Sequence, residues 1–513
     1  MEVLFTLLFL LGLSTVQSAR ILIVFPLPER SHYILASSLA KALAEKGHDI
    51  TMVSPFVEAN PPTSSYREVQ LTGAFEDIQE KQSKNELNFF TIEGPNPFLN
   101  AVRLAMTSDE VESVFKHPNF QKLIKSKETF DVVIVEQFLN DALHALATHF
   151  KAPLIIFSSL GANFWVNTLT GNPAPTAYVP DTLLKFSEKM TFVERLVNTC
   201  TYILNELVYK LYVYPRQSDI VKKYLPGGPH IDDVIYNASI IFLNSHPSTS
   251  QAVPHVPNMI EIGGIHVQTP KALPQHLQTI LDDAKKGVIY FSMGSNAKSS
   301  QFPKEKLEAF LKAFSKLEET VLWKWEDDIL PELPTNVKTG KWLPQQDILA
   351  HPNVKLFITH GGLLSTTEAV YHGVPVLAIP IFGDQTINAK LAENNVYGLV
   401  LPYEEISEQS LQNKIQEILK NPRYKTNAKR RSKIFHDRHV GPKETAIYWV
   451  EYVIRHKGAP HLRVAGVDMP WYQYFLLDIV IFMLVSITIT ILIIRKLFCR
   501  LVLKSKPQKI KTN

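Results

Sequence analysis

Short apolar runs alternate along this chain with stretches whose apolar residues recur every three or four positions. The first pattern belongs to strands buried on both faces, the second to helices packed by one face. In the first half the alternation predicts a strand at Arg20–Phe25, a helix at Ser31–Lys46 and a strand at Asp49–Val53. It predicts a further strand at Asp131–Glu136, a helix over about 139–150 and a strand at Pro153–Ser158. A βα order of this kind implies a parallel sheet. Residues 55–125 and 159–235 break the pattern; rich in aromatics and proline, they read as an irregular wall over the sheet. A proline-bearing join follows, with HPSTSQAVPHVPN and then TPKALP. The alternation restarts with strands at Gly287–Ser292, Thr320–Trp325, Val354–Thr359 and Val374–Pro380, and with helices from about 304 and over 363–372. Gly373 is a good stop for the latter helix. Residues 441–465 read as a helix that packs back across both halves.

The two ends of the chain depart from this globular pattern. MEVLFTLLFLLGLSTVQSAR has an apolar centre and small residues near Ser18, the form of a cleaved secretory signal, with the mature chain starting at Ala19. Tyr474–Ile494 is an apolar run of bilayer-crossing length, with Trp471, Tyr472 and Tyr474 placed as an interfacial belt and Asp478 close to that interface. Arg495, Lys496, Arg500, Lys504, Lys506, Lys509 and Lys511 follow without an acidic residue, which assigns the tail to the cytosol and the bulk of the chain to a secretory lumen. The spacing of Lys509 and Lys511 from the end looks like a dilysine retrieval signal, an address read by a receptor. The expected topology is therefore a single-pass type I protein of the endoplasmic reticulum membrane, in contact with lipid. The expected divisions are 1–18 signal, 19–245 first α/β domain, 246–285 linker, 286–440 second α/β domain, 441–473 returning helix and pre-membrane segment, 474–494 span and 495–513 tail.

Composition narrows the function. A length of 513 residues calls for two domains, and 45% hydrophobic with 20% charged residues is globular. A net charge of +4 without a basic block ahead of the C-terminus argues against nucleic acid as a partner. The two cysteines, Cys200 and Cys499, lie on opposite sides of the expected span and cannot bridge; Cys200 reads as a core residue. Asn237-Ala-Ser239 is a luminal glycosylation sequon, and Asn198-Thr-Cys200 a weaker one. No motif reports the oligomeric state, so self-association stays open.

The chemistry collects at the carboxyl ends of the predicted strands, where open α/β sheets bind ligands. Strands Val354–Thr359 and Val374–Pro380 deliver His360, Gly361, Gly362, Ser365 and the pair Asp384-Gln385 to one edge. Without side chains, Gly361 and Gly362 let a ligand approach the N–H groups of a helix N-terminus, a natural anion site. His32 begins a helix after the first strand, where the macrodipole disfavours imidazolium and suits a base. Glu136 ends a strand of the same sheet and is placed to orient that base.

FITHGGLLSTTEAVYHGVPVLAIPIFGDQ at 357–385 resembles the signature of UDP-sugar glycosyltransferases, specifically the membrane-bound animal UDP-glycosyltransferases in their insect form. Trp342-Leu-Pro-Gln345, Ser31-His32, GNPAPTAYVP at 171–180 and RHKGAPHLRVAGVDMPW at 455–471 extend the resemblance over nearly the whole chain. It implies a GT-B fold, two doubly wound α/β domains facing a cleft, and an inverting transfer of a sugar from a UDP-sugar to a small lipophilic acceptor. It implies His32 as base with Glu136 as partner, Trp342 as uracil platform, and Gln345 and Glu368 for uracil and ribose. It further implies His360, Gly361, Gly362, Ser365 and Ser295 for the diphosphate and Asp384 with Gln385 for the sugar. Two positions depart from the family pattern: Glu136 stands where Asp is commoner, and Leu364 where Asn is frequent. No DxD motif stands out, so no metal or other cofactor is expected. Phe89, Phe90, Phe164 and Trp165 suggest an apolar acceptor lining. In glucuronate-using relatives an Arg in the join pairs the sugar carboxylate; the nearest equivalent here is His255, which favours glucose as donor sugar. The competing readings are a lipid-dedicated glycosyltransferase and a catalytically silent binding or chaperone protein on the same fold.

Overall fold

The computed structural model describes residues 18–84, 88, 90, 110–328 and 332–504. The expected leader up to residue 17, Phe89, and the tail lysines 506, 509 and 511 lie outside the described residues. The chain divides into two units after Arg463.

The first unit holds two parallel sheets. One is built from β1 (Arg20–Val24), β2 (Asp49–Ser54), β3 (Tyr66–Gln70), β4 (Val132–Glu136), β5 (Leu154–Ser158), β6 (Ala238–Leu243) and β7 (Met259–Glu261), in the order 3-2-1-4-5-6-7. The other holds β8 (Val288–Ser292), β9 (Thr320–Lys324), β10 (Val337–Gly340), β11 (Val354–Thr359), β12 (Val376–Ala378) and β13 (Gly398–Val400), in the order 10-9-8-11-12-13. Both are doubly wound, with strand order reversing between β1 and β4 and between β8 and β11. Those switch points open crevices at the strands' carboxyl ends. Successive residues of β1 serve opposite cores: Leu22 and Val24 face one cluster, Ile21 and Ile23 the other. Burial on both faces is why the central strands show as unbroken apolar runs.

Four expectations change. The segment 246–285 is not a free linker: β7 pairs with β6, and the helix Gln275–Asp283 buries Leu277 and Leu281 in the second sheet's core. The stretch 55–125 contains β3, a half-exposed edge strand of sequence YREVQ whose polar residues hide it. The stretch 159–235 is largely helical, with helices Phe164–Thr170, Phe192–Val208 and Tyr214–Tyr224, the last two joined by a π-turn at Tyr209–Val213. Helix Phe192–Val208 is inverted: Asn198, Thr201 and Asn205 are buried, while Phe192, Val193, Leu196, Ile203 and Leu207 are exposed. Cys200 lies on this exposed face and is not a core residue.

Helices that follow the strands position the site. α1 (Arg30–Glu45) follows β1, α2 (Phe164–Thr170) follows β5, and α3 (Leu363–His372) follows β11. α4 (Gln385–Asn394) follows β12, and α5 (Pro442–His456) returns to the first sheet, placing Ala446, Val450 and Val453 in the core that α1 and β1 share. The second unit contains α6 (Leu477–Lys504). Its stretch Leu477–Leu501 is long and apolar enough to cross a bilayer. The helix runs on through Arg495, Lys496 and Arg500, so no break marks the expected boundary at residue 494.

Candidate active site

Three adjacent parallel strands, β1, β4 and β5, bring the base together. The first turn of α1 carries His32, β4 ends on Glu136, and Ser159 follows β5. His32 Nδ1 contacts Glu136 Oε1 directly, so the extra methylene of Glu does not keep the pair apart. Ser159 Oγ donates to the same oxygen at 2.5 Å, and Phe138 packs edge-on against the imidazole at 5.1 Å. Glu136 is 0% exposed. A carboxylate on Nδ1 fixes the tautomer and leaves Nε2 as the proton-accepting nitrogen. Burial alone would lower the His32 pKa, but Glu136, with Glu29 and Asp384 behind it, outweighs burial and raises it. The expectation that the macrodipole of α1 sets this histidine is therefore replaced: nearby carboxylates dominate.

On the opposite wall, β11 delivers His360 and α3 begins at Leu363. The helix has no side-chain cap, so its first N–H groups stay free for an anion. Gly362 serves the histidine as well as any ligand: a Cβ there would lie 2.5 Å from His360 Nε2, and one on Gly294 2.5 Å from its Cε1. The two glycines make the slot that holds the ring. Gly361 has φ +84° and turns the chain into α3. Burial, with Lys324 adding to it, pushes the His360 pKa down to about 4, so the ring is neutral at pH 7 and carries one N–H.

A polar floor connects the remaining donor-side residues. Gln345 Nε2 donates to Ser365 Oγ at 3.0 Å and to Glu368 Oε2 at 2.6 Å, and Gln346 Nε2 reaches Glu368 Oε1 at 3.1 Å. Burial pushes Glu368 up to about 7, against the pull of those two amides. Trp342 is 71% exposed, an indole with its face open beside this floor. Gln385 spends its carbonyl oxygen on the N–H groups of Ile381 and Phe382 at 2.8 and 3.1 Å, leaving its amide group for a ligand. Asp384 stands at the N-cap of α4 but makes no capping bond; its Oδ2 accepts from Asn388 at 2.7 Å. Ser295 is exposed in the loop after β8.

Both walls line one cleft of about 580 Å³, which contains His32, Trp342, Gln345, His360, Glu368 and Asp384, along with Ser295, Gly362, Ser365 and Gln385. The acceptor residues divide. Trp165 lines the cleft and packs on Phe138 at 5.5 Å. Phe164, next to it on α2, points into the core against Tyr202 and Tyr209 at 5.2 and 5.6 Å. Phe90 sits in the second sheet's core, 4.4 Å from Phe302 and 5.5 Å from Tyr403, and is not part of the cleft. His255 is exposed on its loop and does not line the cleft.

Sequence reasoning missed Phe138, Gln346 and Lys324. Lys324 ends β9, its Nζ donates to the Gly294 carbonyl, and it lies 5.9 Å from the centroid of the Trp342 ring. The signal that singled out Glu136, a charged residue closing an apolar strand, applies equally to Lys324.

The profile of a family described as "UDP-glucoronosyl and UDP-glucosyl transferase" matches residues 20–511. "UDP-glycosyltransferase UGT5" of Dactylopius coccus is 40% identical over 492 residues, covering 94% of this chain and 92% of that one. "UDP-glucuronosyltransferase 1A8" of Homo sapiens is 32% identical, covering 90% and 88%. Among solved structures, the calicheamicin glycosyltransferase CalG4 superposes with a TM-score of 0.58 at 18% identity, covering 86% of this chain and 100% of that one. That likeness shows the fold, GT-B.

Proposed function

We propose a specific reaction for this chain, which belongs to the UDP-glucuronosyl and UDP-glucosyl transferase family and is an enzyme that moves a sugar from a UDP-sugar to an acceptor. The reaction is an inverting transfer of glucose to a hydroxyl of a small lipophilic molecule. The supporting observation is the His32–Glu136 pair facing the open N-terminus of α3 across a single cleft. His32 Nε2 removes the acceptor proton, and Glu136 stabilises the imidazolium that forms. Attack from the His32 side, opposite the departing diphosphate, inverts the anomeric carbon. The N–H groups at the start of α3, the His360 N–H and the Lys324 ammonium take up charge on the leaving UDP, so no divalent ion is required. Trp342 stacks on uracil, Glu368 holds ribose, and Asp384 with the Gln385 amide holds sugar hydroxyls. Trp165 and Phe138 give the acceptor an apolar wall.

Glucose is favoured over glucuronate because a buried sugar carboxylate needs a paired cation. His255 is exposed and outside the cleft, while Asp384 and Glu136 supply negative charge around His32. The protein is anchored by α6 in the endoplasmic reticulum membrane with the first unit in the lumen; the apolar stretch Leu477–Leu501 and the basic residues after it support this.

The test is a donor and acceptor screen on microsomes holding the full chain, with mass detection of the glycoside. His32→Ala should abolish transfer and leave UDP binding intact. Equal glycoside yield from His32→Ala would remove the proposed base. A preference for UDP-glucuronate over UDP-glucose of about tenfold, or 1.4 kcal/mol, would overturn the donor assignment.

A further inference from the structure

Glu29 lines the cleft and is assigned no substrate contact in the transfer described above. It stands at the N-cap of α1, yet its side chain makes no capping bond to that helix. The carboxylate instead hydrogen-bonds Asn296, in the loop that follows β8 on the opposite wall. Among the described residues its Oε2 is buried without a hydrogen-bond partner. The neighbouring cation does not neutralise it: the Arg30 guanidinium lies over Phe56 and Phe75, 5.0 and 5.5 Å from their ring centroids. Burial raises the pKa of this carboxyl and Glu136 adds to the rise, while His32 and Asn296 pull it down in favour of the charged form.

An ionised carboxylate can only accept hydrogen bonds, so a ligand that completes Glu29 must bring an O–H or N–H group. A buried acceptor without a donor costs free energy until such a group arrives. A ligand carboxylate at the same place would meet the Glu29 charge, and like charges at close range are strongly unfavourable.

We propose that Glu29 is a specificity-determining residue of the transfer site: its free oxygen takes a hydrogen bond from an uncharged hydroxyl of a bound substrate, and its charge rejects substrates that place a carboxylate there. The hydroxyl comes either from the donor sugar or from the acceptor, since both meet beside His32. This rests on the transfer reaction proposed above and adds a basis for choosing among its substrates. Rejection of this kind is specificity by an unfavourable contact, which needs no additional attraction to the favoured substrate.

The experiment uses the full chain in microsomes, unmodified and as Glu29→Gln and Glu29→Ala. One arm compares UDP-glucose with UDP-glucuronate on a fixed phenolic acceptor. The other compares 4-hydroxybenzyl alcohol with 4-hydroxybenzoate at fixed UDP-glucose. Taking ratios cancels any effect of Glu29 on His32, which both members of a pair share. Glu29→Gln should raise the kcat/KM of the charged member relative to the neutral one by about tenfold or more in one arm, and that arm identifies the source of the hydroxyl. Glu29→Ala, which lacks the accepting oxygen, should in addition lower kcat/KM for the neutral member. UDP titration shows that each variant is folded. Ratios unchanged in both arms, with active variants, overturn the role of Glu29 and leave the transfer reaction standing. Absence of transfer by the unmodified chain from either donor removes both.

Discussion

Replacing Glu136 with Gln is the sharpest perturbation of the proposed mechanism. The amide has the same shape and removes only the charge that touches His32 Nδ1. The pair is enclosed: Glu136 is 0% exposed, and Ser159 occupies the oxygen it shares with the histidine. At an effective dielectric of about 20, opposite charges about 4 Å apart attract by about 4 kcal/mol. That attraction operates only once the imidazolium has formed, so it stabilises the transition state more than the ground state. Its loss corresponds to about three orders of magnitude in kcat. The pH profile adds an independent sign. The base form of His32 is needed, so rate is lost as pH falls through the His32 pKa. Glu136 is the strongest of the groups that raise that pKa. In Glu136→Gln the acidic limb should therefore move to lower pH while the plateau drops. The measurement is the pH dependence of kcat/KM for the acceptor in both proteins. A limb that stays in place, or a plateau within about threefold of the unmodified enzyme, would refute the assignment of Glu136 as the partner of the base.

Other outcomes follow from the donor wall, the surface and the tail. Trp342→Ala should weaken UDP by about 1–3 kcal/mol, the scale of base–aromatic stacking, as read by calorimetric titration. Asn237 is exposed ahead of β6 and should carry glycan, so glycosidase treatment should shift the mobility of the unmodified chain and not of Asn237→Gln. Asn198 should carry none, because it is buried and bonded to Thr176, Val179 and Asp181. Lys509→Ser with Lys511→Ser should release the protein to the Golgi and cell surface with activity retained; retention of the double variant, seen by microscopy, would show that another element holds it.

The central strands were legible because burial on both faces leaves an uninterrupted apolar run, as in VVIVE of β4 and LIIFS of β5. Strand β3 was not, since one side faces solvent and polar residues fill it. Helix Phe192–Val208 has a clear amphipathic period, but the sequence could not show which face is buried: Asn198, Thr201 and Asn205 turn inward, the reverse of the usual orientation. At the site, residues at strand ends could be placed from sequence because a parallel sheet puts those ends on one edge. The choice between Phe164 and Trp165 could not be made, because it depends on the rotation of a seven-residue helix about its axis. Phe90 reads from sequence as acceptor lining because nothing local reveals that it inserts among the rings of Phe302 and Tyr403.

The return of α5 to the first sheet has a consequence for biosynthesis. The last strand of that sheet is finished at Glu261, yet its core still lacks Ala446, Val450, Val453 and Ala459. Those residues follow roughly 200 positions later, which at about 5–20 residues per second is a delay of about 10–40 s. Through that interval the nascent first domain exposes the apolar patch that α5 will cover, while the whole second domain is being made. A ribosome stalled before residue 442 therefore holds a chain with every strand of the first sheet and an unsealed core, a substrate for chaperones. No single cut between the sheets yields two self-sufficient fragments, because the residues that complete the first sheet's core lie on α5, beyond the second sheet.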